Sequence, residues 1–433
     1  MNKLNSFYLS QALHKSIYDE YNDCIGRLVD IYVTAGDGYP KAIGYKVKKG
    51  GEIYNYEFRS VQVYEDNGKI IIKVRGVKDI IPRAYSYLLS KQLLDKQIVD
   101  INGKKVVRVN DLIMANITFD IRVIAVETGF LALSRRYGID SLVKVFYKIF
   151  KKPIYDKTIM WDDVESLEMI DDSLKISVPY KKISELHPAD IADILEEVDL
   201  KYRNKIFESL DEHLAADTLE EIEPEIQADI LETMNQSKAS RILNNMSNDE
   251  IADILEEVDE EMAEKLLMTL ESDDEEKVRD LMRYEEETVG SVMNTDFVSF
   301  NVNITASETI ELLKEISPEE KISHYIYITD EKGKLQGVVS LRQLVFCDAN
   351  KKIKDIMKTE IIKLKDDENI DKAIKKFIKY DLITIPVIDA EEKLQGIVII
   401  NDILEEFLGE KIKRKTKKLV NFHKKVSVIL KLH

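Results

Sequence analysis

The feature that most constrains this chain is a repeat. Stepping about 12 residues at a time from Ile194-Leu195, the pairs Ile206-Phe207, Thr218-Leu219, Ile230-Leu231, Ile242-Leu243, Ile254-Leu255 and Leu266-Leu267 fall in register. Four positions after the first member of each pair stands Val198, Leu210, Ile222, Met234, Met246, Val258 or Leu270, all apolar. Spacing of i, i+1 and i+4 places these side chains on one stripe of a short helix. The following position reads Asp199, Asp211, Glu223, Asn235, Ser247, Asp259, Glu271, mostly residues whose side-chain oxygen caps a helix start. Each unit is predicted to be a helix of about two to three turns, too short to persist alone in water. The units must stack, giving an all-α superhelix over about 184–284.

One phrase inside the repeat is written twice. HPADIADILEEVD, from His187 to Asp199, returns in NDEIADILEEVDEE. Ile191, Ile194, Leu195 and Val198 form its buried stripe, and Asp190, Asp193 and Glu197 fall on the opposite face. Like charges so spaced cost a few tenths of a kcal/mol per pair, roughly. Such a face either serves solubility or awaits cations.

The bulk numbers narrow the class. With 433 residues the chain is expected to hold several domains. A formal net charge of -17 argues against nucleic acid as a general partner. Cys24 and Cys347 are too far apart in sequence to suggest a disulfide framework or a CxxC site, so free thiols in a reducing compartment are expected. The amino terminus lacks a signal-peptide pattern, and no apolar run approaches the roughly 20 residues that span a bilayer. The protein is therefore expected in the cytosol, without a pore. Absence of HExxH, P-loop, GxSxG and dinucleotide motifs leaves catalysis without support. The lone Trp161 is expected in a core or a domain seam.

A second echo occupies about 292–407. VMNTDFVSF answers IMKTEIIKL, and YIYITDEKGKLQGVVSLRQL answers TIPVIDAEEKLQGIVIINDI. Each half reads strand, helix, strand, turn, strand, helix. This resembles a tandem pair of CBS domains. Toward the amino terminus, IGRLVDIYV with KAIGYKVKKG and IIIKVRG, and LLDKQIVDINGKKVVRVNDLIM with IRVIAVETGFLALSR, alternate apolar residues between turns. They predict small twisted sheets and look like two PRC-barrel domains, with IMWDDVESL closing the second.

Taken together, ELHPADIADILEEVD, RYEEETVGSVMNTDFV and the two CBS halves resemble the cytosolic portion of MgtE-type magnesium transporters over about 182–407. The expected architecture is multidomain α/β. It comprises PRC-like β-barrels at 1–90, with an N-terminal helix, and 91–180, the helical superhelix at 181–286, CBS halves at 287–350 and 351–410, and a basic amphipathic tail at 411–433. The resemblance implies a non-enzymatic regulatory protein that senses Mg2+ between acidic faces and acts in trans on a membrane transporter or other partner. The transporters' pore has no counterpart in this sequence. An adenine-nucleotide sensor and an interaction scaffold are the alternatives.

The resemblance implies metal-site roles for Asp217, Asp249, Asp253 and Asp348, and more loosely for Asp367 and Asp371; Asn369 stands where a carboxylate is expected. For ATP or AMP, the CBS pattern Gly-x-x-Thr/Ser-x-x-Asp is split between Gly337, Ser340, Gln343 and Gly396, Ile399, Asp402, leaving Ser340 and Asp402 as candidates. It further implies a homodimer through the CBS pairs. The tail EKIKRKTKKLVNFHKKVSVILKLH mixes basic and apolar residues. It suits an anionic membrane surface, an acidic partner, or a solubilising segment, so a peripheral place at the inner membrane face is also expected.

Overall fold

The computed structural model describes residues 1–34, 38–66, 68–80, 86–118, 120–150, 157–167, 180–285 and 287–404. The tail at 411–433 lies outside the described residues. The chain divides into two compact units, Met1–Glu223 and Pro224–His433.

The first unit opens with a β-rich module. Its strands are β1 (Asn2–Lys3), β2 (Ser6–Tyr8), β3 (Ser16–Tyr18), β4 (Cys24–Thr34), β5 (Ala42–Lys49), β6 (Glu52–Glu57), β7 (Gln62–Asp66) and β8 (Lys69–Lys73). A second set comprises β9 (Ser86–Leu88), β10 (Gln97–Asp100), β11 (Lys105–Arg108), β12 (Asp111–Ile117), β13 (Asp120–Glu127), β14 (Thr158–Met160) and β15 (Val164–Ser166). The sheets run β1-β7-β8-β3-β4-β5-β6 with β9 added on β4, β11-β10-β15, and β14-β13-β12-β2.

The leading strands of the two halves change places. SFYLSQAL begins the first half, yet β2 pairs with β12, Tyr8 facing Ile113. SYLLSKQL begins the second, yet β9 pairs with β4, Tyr87 facing Val33. Each leads into a single-turn helix, α1 (Leu9–Ala12) or α2 (Leu89–Gln92), capped by an aspartate of the opposite half. The Asp111 carboxylate accepts from Ser10 N at 3.0 Å and Ser10 Oγ. Asp30 accepts from Ser90 N at 2.8 Å and Ser90 Oγ at 2.9 Å. Both aspartates are buried, and these donors replace the water they lose.

One core therefore serves both halves, from Leu9 and Ile17 through Leu89 and Ile98 to Trp161. Trp161 packs in the core, as its lone apolar bulk suggested. Among the described residues no sheet closes into the barrels expected of the two halves, and β2 and β9 each pair with a strand of the opposite half. Helices α3 (Phe130–Arg136) and α4 (Asp140–Ile149) come after β13. Arg135 of α3 reaches Glu127 at 2.7 Å and Asp111 at 3.2 Å, with its guanidinium over the Tyr8 ring.

The helical repeat begins within this unit as α5 (Pro188–Glu197), α6 (Leu200–Ser209) and α7 (Glu212–Glu220). α5 packs on α7 and against β11. Here the first acidic phrase serves structure: Asp190 pairs with Lys104 at 2.6 Å, and Glu197 accepts from Val106 N at 2.9 Å. Asp193 stays exposed.

In the second unit the repeat continues as α8 (Pro224–Thr233), α9 (Gln236–Leu243), α10 (Asn248–Glu257), α11 (Glu260–Leu267) and α12 (Ser272–Leu281). Each helix packs on the next but one, α8 on α10, α10 on α12, and α9 on α11. That two-row stacking is how helices of 8 to 10 residues bury their stripes. The expected caps are made by Asp211, Asn235 and Asp259, whereas Asp199, Ser247 and Glu271 take the position without a side-chain cap bond.

The CBS halves complete the unit. The first is β16 (Ser299–Asn301), α13 (Ala306–Ile316), α14 (Glu320–Ser323), β17 (Tyr325–Thr329), β18 (Leu335–Ser340) and α15 (Leu341–Phe346). The second is β19 (Leu364–Lys365), α16 (Ile370–Tyr380), β20 (Thr384–Ile388) and β21 (Leu394–Ile399). In each, the first strand runs parallel to the second and the third antiparallel.

The echoed motifs hold the pair together. Asn294 exchanges backbone hydrogen bonds with Ile397 at 2.8 and 2.9 Å, and Lys358 does so with Val338 at 3.0 and 2.9 Å. Thus each Met-x-Thr segment lies on the opposite half's Leu-Gln-Gly strand. A Cβ on Gly396 would stand 2.7 Å from Asn294 O and 3.1 Å from Met293 S, and one on Gly337 would meet Met357. At Gly396 the clash is with backbone, so glycine is required there for the crossing segment to pass.

The reciprocal caps give a stability prediction. Asp111→Ala orphans the Ser10 donors and leaves Arg135 with Glu127 as its one carboxylate partner, and should cost about 2–4 kcal/mol, whereas Asp30→Ala should cost about 1–3 kcal/mol. Denaturant unfolding followed by fluorescence of Trp161 reads this module directly.

Candidate functional site

Within the second unit, the start of α10 meets α12 and the loop that leads into the first CBS half. Ser247, Asn248 and Asp249 are all buried there, at 4%, 3% and 8% exposure. The Asn248 amide donates to Asp296 Oδ1 at 3.2 Å and reaches Asp274 Oδ1 at 3.5 Å. Lys277 of α12 sits between the same two acids, 3.1 Å from Asp274 and 3.7 Å from Asp296. Asp296 is fixed in turn by its N–H, which donates to Asn294 Oδ1 at 2.6 Å.

Asp249 is the unusual member. Its Oδ1 and the Ser247 hydroxyl are buried without hydrogen-bond partners. Burial pushes its carboxyl above the ordinary range; the neighbouring Ser247 hydroxyl, outside hydrogen-bond geometry, and Lys321 oppose this, and Asp296 adds to it. An anion taken from water with one oxygen unmatched is costly unless protonated or met by a cation.

The second acidic phrase is therefore put to a different use from the first. Where the first copy reads Pro188-Ala189, the second reads Asn248-Asp249. The motif singled out Asp249, but sequence reasoning missed Asn248, Asp274, Lys277 and Asp296. The break in the echo at these two positions was the available signal for Asn248; the other three contribute through tertiary packing.

The remaining expected metal residues do not gather here. Asp217 lies exposed on α7 in the first unit, and Asp253 lies exposed on α10 one turn beyond Asp249. Asp348 is exposed after α15 and accepts from Asn350 N at 3.0 Å. Asp367 and Asp371 are exposed near the start of α16, which Asn369 caps. Among the described residues no three His, Cys, Asp or Glu side chains converge to hold a metal by themselves. Of the nucleotide candidates, Ser340 is the N-cap of α15 in a capping box with Gln343, and Asp402 is half-buried.

Beside the seam lies a cavity of about 420 Å³. Lys277, Tyr284, Met293, Thr295, Phe297 and Gln395 line it, and the Thr295 hydroxyl is buried without a partner. Neither Ser340 nor Asp402 lines it.

Comparison with known proteins identifies the domains around this seam. Residues 186–287 match the MgtE intracellular N domain, and 289–349 and 353–409 match the CBS domain. The crystal structure of the cytosolic domain of the Mg2+ channel MgtE in complex with ATP is 31% identical, with a TM-score of 0.50 over 52% of this chain and 91% of that one. The chain belongs to the MgtE family. A second MgtE-type structure, the soluble part of a magnesium transporter, is 30% identical with a TM-score of 0.50, covering 53% of this chain and 90% of that chain. The magnesium transporter MgtE of Thermus thermophilus is 33% identical over 134 residues, 31% of this chain and 30% of the relative. The chain thus spans under a third of that transporter's length. No described helix is long and apolar enough to cross a membrane.

The Asp249 site carries a pH signature. With its folded pKa raised, ionisation costs stability; that cost is absent below the ordinary carboxylate range and is incurred as pH rises through the raised value. In metal-free protein, Asp249→Asn should raise the second unit's melting temperature at pH 7.5 by about 2–4 °C, and the difference should shrink toward pH 4. Calorimetric melts across that range check it.

Proposed function

We propose that the MgtE-like module is a divalent-cation-responsive, non-catalytic regulatory element, with Mg2+ as its ligand. The observation that carries this reading is the buried Asp249 carboxylate, one oxygen unmatched, beside the orphan Ser247 hydroxyl and Asp296. Magnesium takes hard oxygen donors, usually one or two carboxylates, and keeps several waters, so a three-acid cage is not required. Asp249 and Asp296 suit a hydrated ion, whose waters would satisfy the orphan oxygens. Asp253, Asp348, Asp367, Asp371 and Asp217 supply exposed acids that the family resemblance also assigns to ions.

Mechanistically, the seam between α10, α12 and the CBS lead-in is held without metal by Asn248 and Lys277, while Asp249 opposes it. A cation that binds the closed seam better than the open one stabilises the closed state by its differential affinity. At ten times its dissociation constant the gain is about 1.4 kcal/mol per site. The signal is then passed in trans to a membrane transporter or another partner at the cytoplasmic membrane face. In this reading the open β-rich sheets are PRC-barrel-like modules that present the sensor to that partner.

Calorimetric melts with and without millimolar MgCl2 test the ligand. Wild-type protein should gain about 1.4 kcal/mol near ten times the dissociation constant, and Asp249→Asn should lose most of the gain. Equal gains in both proteins, or none in the wild type, would discard the reading. A nucleotide-sensing role is the second reading, favoured by the relative solved with ATP; in the same assay, ATP or AMP should then raise the melting temperature and Asp402→Ala should abolish the rise.

A homodimer through the CBS pairs is supported by apolar side chains left in water on α15 and α16. Phe346 is 80% exposed and Ile378 77%. Light scattering should show the wild type as a dimer and Phe346→Asp/Ile378→Asp as a monomer.

A further inference from the structure

Helix α4 of the first unit is amphipathic but turned the wrong way round for a globular protein. In Asp140–Ile149 and the residues flanking it, Ile139, Leu142, Val145, Phe146, Ile149 and Phe150 share one broad arc at helical spacing, while Asp140, Ser141 and Lys144 lie on the other. The apolar arc faces solvent: Leu142 is 72% exposed, Ile149 69%, Phe146 58% and Phe150 57%. Among the described residues, the main helix contact of α4 is with the short α3. A soluble helix ordinarily buries this stripe, and a contiguous exposed apolar patch marks an interaction surface.

Charge selects the occupant. The chain has a formal charge of -17, yet over 140–152 the sequence sets Lys144, Lys148, Lys151 and Lys152 against the single acid Asp140. A second copy of this segment, and the basic tail at 411–433, carry the same positive excess and would be repelled by it. An anionic lipid surface offers both an apolar layer for the leucine and phenylalanine side chains and negative headgroups for the lysines.

We propose that α4 is a membrane-surface helix that docks the first unit onto an anionic bilayer, lying in the headgroup plane with Leu142, Phe146 and Ile149 inserted. This site is separate from the cation-sensing seam and does not rest on it. It gives the protein a means of concentrating at a membrane without crossing it.

Flotation of the full chain with liposomes tests it. Wild-type protein should bind vesicles of phosphatidylcholine with phosphatidylglycerol and bind pure phosphatidylcholine at least about tenfold more weakly, and 0.5 M NaCl should reduce the anionic binding. Leu142→Asp/Ile149→Asp should weaken binding at least about 100-fold with an unchanged melting temperature, because these exposed side chains support no core. A chain truncated at Glu410 should keep its affinity within about threefold. The proposal is overturned if anionic vesicles do not bind the wild type, if the double variant binds as tightly, or if truncation alone abolishes binding. It is equally overturned if the double variant converts a dimer to a monomer while leaving lipid binding unchanged, which would make the face a contact between copies.

Discussion

A carboxylate removed from water must be matched by donors or a cation, and three of the buried aspartates among the described residues differ in how far that matching goes. Asp30 and Asp111 are matched by the Ser90 and Ser10 donors, so they bind the two β-rich halves into one core. Asp249 keeps one oxygen unmatched, so its seam is under electrostatic strain. The same chemistry makes a rivet in one unit and an incompletely matched joint in the other.

The helical repeat supplies the setting for that joint. Helices of 8 to 10 residues bury one stripe on the next helix but one, leaving the remaining surface for other work. In the first copy of the acidic phrase that surface clasps β11 through Asp190 and Glu197. In the second it turns Asn248 and Asp249 toward the CBS lead-in, where Lys277 and Asp296 meet them. One sequence phrase yields two roles because each copy meets different neighbours.

The CBS pair is organised by the same principle of exchange. Its Met-x-Thr segments cross to the opposite half, and Gly337 and Gly396 make room for them. Motifs that looked like ligand-binding signatures in the sequence thus have a structural occupation. Ser340 likewise caps α15, which means any nucleotide would have to share that hydroxyl with the helix.

The sequence alone determined what depends on local periodicity. The apolar stripe every 12 residues, the caps at Asp211, Asn235 and Asp259, and the duplicated strand-helix pattern of the CBS halves were all legible, because helix and strand periods are written in neighbouring residues. Tertiary structure decided the rest. That β2 and β9 trade sheets, that Asp190 is used up on Lys104 while Asp249 is buried beside Asp296, and that the apolar arc of α4 faces outward are facts about residues distant in sequence. Burial and charge pairing arise only when such residues are brought together, and no local pattern encodes which ones will meet.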